Sequence, residues 1–116
     1  MVFDLSYTLH MKVLKQECPV DRLCNIFSDR VSFIILERLR ERSPQRFGVL
    51  LKAVAPVSSR TLTLKLRTLT ACGVISQKRF AERPPRVEYN LTKSGRAFSK
   101  VLQEMATWSK RYLPKK

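Results

Sequence analysis

Acidic residues are scarce in this chain: nine Asp and Glu stand against 23 Lys and Arg, a formal charge of +14 over 116 residues. The few carboxylates form no evident pair for general acid and base work. Glycine is scarcer still, and its three scattered copies build no loop that could cradle a phosphate. Cys18, Cys24 and Cys72 are odd in number and lack the close spacing of zinc ligands, and the single histidine, His10, does little to complete a metal site. His10 with a cysteine would need a third group to orient it as a nucleophile pair, and none is evident. No enzyme activity and no cofactor are therefore expected. Long apolar runs are missing too; residues 33–36 are among the longest, and Asp4, His10, Lys12 and Lys15 interrupt the first fifteen positions. Neither a transmembrane helix nor a signal peptide is expected, and free thiols suit a reducing cytoplasm.

Positive charge of this density repels itself unless a polyanion offsets it, which makes nucleic acid the first partner to expect. A membrane surface attracts such charge as well, but here the basic residues are interleaved with helix and hairpin patterns. Membrane binding is the weaker expectation. The length suits one domain with a core of its own.

At residues 3–13, Phe3, Leu5, Tyr7, Leu9, Met11 and Val13 alternate with polar residues, so residues 1–17 read as an extended arm. Two roles are open to the arm: covering the domain's own core, or pairing with another subunit. A short helix is expected over 21–27 on the spacing of Leu23, Ile26 and Phe27. A second, capped by Ser28 or Asp29, runs to about Glu41 with Val31, Ile34, Ile35 and Leu39 inward. Ser43 and Pro44 make a turn. Phe47, Leu50, Leu51 and Val54 mark a third helix, stopped at Ala55 and Pro56.

The segment 57–75, VSSRTLTLKLRTLTACGVI, is the most informative. Ser58 is placed to cap a helix in which Leu62, Leu66 and Leu69 recur at i, i+4 and i+7, leaving Arg60, Leu64 and Arg67 on the opposite face. Gly73 can take the left-handed conformation that ends helices. Runs rich in β-formers at 74–80 and 87–91 then flank a basic tip with two prolines, a hairpin. Thr92 and Ser94 open a last helix whose stripe is Phe98, Val101, Leu102, Met105, Trp108 and Tyr112. Residues 114–116 are a basic tail. Four helices, a hairpin and a helix make an α+β fold, a winged helix-turn-helix over 18–113 that is mainly helical with a wing of two or three strands.

These residues bring the chain to a family. CPV at 18–20, RF at 46–47, VSSRTLTLKLRTL at 57–69, GVI at 73–75, PPRVEYNLT at 84–92, Gly95 and Trp108 resemble the HxlR-type regulators, relatives of the MarR-like winged helices. The chain departs from the family pattern where Ser28, Asp29, Arg30 and Val31 replace a glycine pair, lysine and tryptophan. The family also carries a polar residue where Leu64 stands and a glycine-like turn where Pro56 stands. The resemblance implies a dimeric, sequence-specific transcriptional regulator, with dimer contacts from the N-terminal region and the last helix.

A recognition helix in the major groove would read bases through Ser59, Arg60, Thr63, Leu64 and Arg67, with arginine able to pair bidentately with guanine. Ser58 and Lys65 are placed for a cap or a phosphate. On the wing, Lys78, Arg79, Arg83 and Arg86 oppose only Glu82 and Glu88 and suit the phosphate backbone or minor groove. Leu102, Met105, Trp108 and Tyr112 are candidates for a homodimer interface. Cys18 matches the family's N-terminal cysteine and precedes a helix, so it is a candidate sensor if accessible; Glu17 and Asp21 oppose a thiolate there. Cys24 and Cys72, set among apolar residues, are expected in the core. The expectation is thus a cytoplasmic, nucleoid-associated regulator on double-stranded DNA. A sequence-indifferent architectural or RNA-binding protein would use the same basic surface.

Overall fold

The computed structural model describes residues 19–115; the arm at 1–17 and Cys18 lie outside them. The elements are α1 (Pro19–Ile26), α2 (Arg30–Glu41), β1 (Gln45–Arg46), α3 (Phe47–Ala53), α4 (Ser59–Ala71), β2 (Ile75–Phe80), β3 (Arg86–Leu91) and α5 (Lys93–Tyr112). The strands form one antiparallel sheet in the order β1-β3-β2, and the whole is a winged helix.

Three of the helix starts, those of α2, α4 and α5, follow from local hydrogen-bonding chemistry. Asp29 Oδ1 accepts from the Ser32 amide at 2.9 Å, Ser58 Oγ from the Thr61 amide at 3.2 Å, and Thr92 Oγ1 from the Gly95 amide at 3.1 Å. In each case a short polar side chain satisfies a donor that the first helical turn leaves free. At the end of α4, Gly73 turns with φ of 79°, the Val74 amide reaches back to the Leu69 carbonyl and the Gly73 amide to that of Thr70. That paired closure needs a residue at ease in the left-handed region, which is why glycine stands there.

Leu62, Leu66 and Leu69 pack into a core with Ile35, Leu36, Leu39, Leu50, Val54, Ile75, Leu91 and Leu102. The buried side of α2 is Ser32, Ile35, Leu36 and Leu39, while Val31 and Ile34 are half-buried. The face is turned from the one expected because α2 packs against α3, α4, α5 and β3 at once. Phe27 anchors the α1–α2 junction, its ring 4.5 Å from that of Phe98 and 5.7 Å from that of Phe33. Gly95 lets the first turn of α5 approach the chain before β2: a Cβ there would lie 2.1 Å from the Val74 carbonyl oxygen.

The expectation for two cysteines needs correction. Cys24 and Cys72 are exposed rather than in the core. No residue of α1 is buried, and Cys72 caps α4 on its outside while the Gly73 reversal returns Val74 to the interior. The wing is three-stranded, within the expected two or three, and its two-residue strand β1 pairs Gln45 with Tyr89 and Arg46 with Glu88.

Candidate nucleic-acid interface

The inward leucines of α4 are at most 2% exposed, so they fix which side of the helix faces out. Arg60, Leu64 and Arg67 lie on that outer side, together with Ser58 and Ser59 at the helix start. Leu64 is 51% exposed, a branched apolar side chain on the same helix face as Arg60 and Arg67. Thr63 stands at the edge of the same surface and its hydroxyl donates to the Ser59 carbonyl at 2.8 Å, which turns that side chain's polarity inward.

Between α4 and the sheet runs an open cleft of about 420 Å³, walled by Thr63, Arg67 and Thr70 on one side and Gln77, Arg79 and Tyr89 on the other. Strand alternation decides which wing residues line it: Gln77, Arg79, Val87 and Tyr89 point toward α4, and Lys78, Phe80 and Glu88 toward the opposite side. Tyr89 receives a bond of 3.3 Å from the Gln77 amide; burial pushes its hydroxyl pKa up, against the opposing pull of Gln77 and Arg79.

On the far side of the wing Arg86 is committed within the hairpin. Its guanidinium lies 4.0 Å from the Phe80 ring centre and pairs with Glu82 at 3.0 Å and Glu88 at 3.5 Å. Lys78 Nζ stands 5.1 Å from the same ring. Lys65 is committed too, because its ammonium pairs with the Asp29 carboxylate at the start of α2. Partial burial raises the Asp29 pKa, but the bonds from Lys65 and the Ser32 amide outweigh it and hold the carboxyl below its ordinary value. Among the described residues, no carboxylate pairs with Arg60, Arg67, Arg79 or Arg83. The structure thus brings Arg60, Leu64, Arg67 and Arg79 together around one surface, and it turns Lys65 and Arg86 to partners inside the protein. Asp29 is the residue that sequence reasoning missed as part of this site. Its capping role was legible, but its pairing with a lysine thirty-six positions on had no local signal.

The last helix divides. Leu102 is buried in the core, whereas Met105, Trp108 and Tyr112 are 48%, 55% and 63% exposed. The rings of Trp108 and Tyr112 lie 5.8 Å apart. Val101, also exposed, continues the stripe, and α1 adds Val20 and Leu23 to the apolar surface of the molecule. Among the described residues no helix is long and apolar enough to cross a membrane.

The family model described as HxlR-like helix-turn-helix matches residues 26–116. A Synechocystis protein described as an HTH-type transcriptional regulator is 39% identical over 88 residues, 76% of this chain. The match spans 64% of that relative's length, just under two thirds. Among solved structures, one described as a MarR-family transcriptional regulator from Porphyromonas gingivalis W83 has a TM-score of 0.75 at 33% identity. It covers 84% of this chain and 95% of its own. The redox regulator HypR in its reduced form has a TM-score of 0.74 at 27% identity, covering 80% of this chain and 91% of its own.

Proposed function

Because the chain belongs to the HxlR-like helix-turn-helix family, whose relatives are transcriptional regulators, we propose that it acts as a homodimer on a specific double-stranded DNA site in the cytoplasm. The α4 helix enters the major groove, where Arg60 and Arg67 contact base edges and Leu64 meets apolar surface such as a thymine methyl. Lys78, Arg79 and Arg83 grip the flanking backbone, which contributes affinity more than sequence choice. The observation that carries this reading is a helix buried on one side by three leucines and open on the other with two arginines that pair with no acid among the described residues.

The exposed stripe of Met105, Trp108 and Tyr112 supports pairing through α5. Two copies related by a two-fold axis would set their α4 helices about 34 Å apart, one turn of DNA, and call for a near-palindromic site. Thiol sensing at Cys18 is part of the proposal, supported by the likeness to HypR. Mild oxidation should then change the DNA affinity of the wild type and not that of Cys18→Ser.

Selection of duplexes from a random-sequence library, followed by fluorescence anisotropy, tests the central reading. The recovered duplex should outcompete a scrambled one by roughly a thousandfold or more. Equal affinity for both, with a steep salt dependence, would instead identify a sequence-indifferent architectural protein.

A further inference from the structure

We infer that the Asp29–Lys65 pair is a positioning device for base reading: it fixes the roll of α4 about its leucine stripe and so aims Arg60, Leu64 and Arg67. The inference rests on the DNA-reading role proposed for α4. It starts from what holds that helix. Leu62, Leu66 and Leu69 anchor it through apolar contact, which is non-directional and tolerates small rotations about the helix axis. Helical geometry puts Lys65 on one flank of the stripe, with Thr63 and Thr70 on the other flank beside the wing cleft. An ion pair on a flank resists roll in a way that three leucines in line do not.

The other end of the pair is well anchored. One carboxylate oxygen of Asp29 caps α2 through the Ser32 amide at 2.9 Å, and the other meets the Lys65 ammonium. Two positions earlier, Phe27 is stacked between Phe33 and Phe98, so the base of the pair is tied to α2 and α5 together. Both charged side chains are only partly exposed, 34% for Lys65 and 26% for Asp29, which limits screening by solvent. The geometric demand at the other surface is strict. A roll of roughly 20° carries a group about 6 Å from the helix axis sideways by about 2 Å. A bidentate contact to a base edge, which needs donor and acceptor about 2.7 to 3.2 Å apart, does not survive that. A contact to phosphate, made by a long flexible side chain, does. The pair therefore governs discrimination between sequences rather than overall affinity.

Asp29→Asn separates this role from a structural one, because asparagine caps a helix as well as aspartate while removing the charge that holds Lys65. Lys65→Met removes the ammonium and keeps most of the stem, and Lys65→Arg restores the pair. The probes are the duplex recovered by selection with the wild-type protein and a scrambled duplex of the same composition. Asp29→Asn and Lys65→Met should each lower the ratio of the two affinities about tenfold, leaving scrambled-duplex affinity and the far-ultraviolet circular dichroism close to wild type. Lys65→Arg should keep the ratio, and the double variant Asp29→Asn/Lys65→Met should lose no more than either single one. The inference is overturned if both single variants keep the ratio within about twofold, if selected and scrambled duplexes weaken in parallel, or if the double loss is the product of the single losses. Failure to enrich any duplex would instead remove the DNA-reading role itself, and the positioning role with it.

Discussion

Arg86 and Phe80 face each other as register partners across the wing, the guanidinium carbon 4.0 Å from the ring centre. The stack closes the ladder just where the strands part for the proline-bearing tip, and two glutamates hold the cation there. Arg86→Ala should remove about 0.5 to 1 kcal/mol of cation–π attraction, lower Tm by a few degrees and weaken binding to all duplexes alike. Arg83→Ala should leave Tm unchanged and reduce the slope of log affinity against log salt by about one, measured by anisotropy over a salt series.

Arg60→Ala and Arg67→Ala act on the proposed reading surface itself. Each should cost about 1 to 3 kcal/mol on the selected duplex while barely changing affinity for a scrambled one. A loss of equal size on both would assign these arginines to the backbone.

Gly95→Ala tests the joint between α5 and the chain before β2. The added methyl would stand 2.1 Å from the Val74 oxygen, against backbone rather than a movable side chain. A loss of about 3 kcal/mol in urea denaturation is expected, at the upper end for overpacking.

The two halves of the α5 stripe should respond differently to truncation. Leu102→Ala should cost about 2 to 5 kcal/mol of folding stability, as buried leucines do. Trp108→Ser combined with Met105→Ser should leave the far-ultraviolet circular dichroism of the subunit intact and halve the mass measured by sedimentation. A wild type that sediments as a monomer would dismiss the paired state.

Two carboxylates lend the fold stability that acid removes. Hydrogen bonding from Arg40 lowers the Glu37 pKa against partial burial, and Asp29 is lowered by Lys65 and Ser32 despite its own burial. Both folded values lie below the unfolded ones. Their contribution is therefore complete above the ordinary carboxylate range and declines as pH falls through the depressed folded values. Asp29→Asn should flatten the low-pH side of a plot of denaturation midpoint against pH.

Much of the fold was legible because its signals are local. The spacing of Leu62, Leu66 and Leu69, the caps at Ser58, Asp29 and Thr92, and the break at Gly73 each act within a few residues. What was not legible depends on distant partners. Strand β1 has only two residues and exists because β3 offers it an edge. Cys24 resembled a core residue among apolar neighbours, yet no residue of α1 is fully buried and Cys24 is exposed. In the candidate site, the outward arginines of α4 were apparent from periodicity. The internal commitments of Lys65 and Arg86 were not, since composition counts a cation without saying which acid the fold brings to it.

The reversal at Gly73 leaves just three residues between the end of α4 and the start of β2, and the Val74 amide is bonded back into the helix it follows. Probe and clamp are consequently welded at the root, with no slack by which one could let go of a duplex while the other stays. If both hold DNA as proposed, departure requires the two to withdraw in a single stroke, and strengthening either one should lengthen the residence time of the whole.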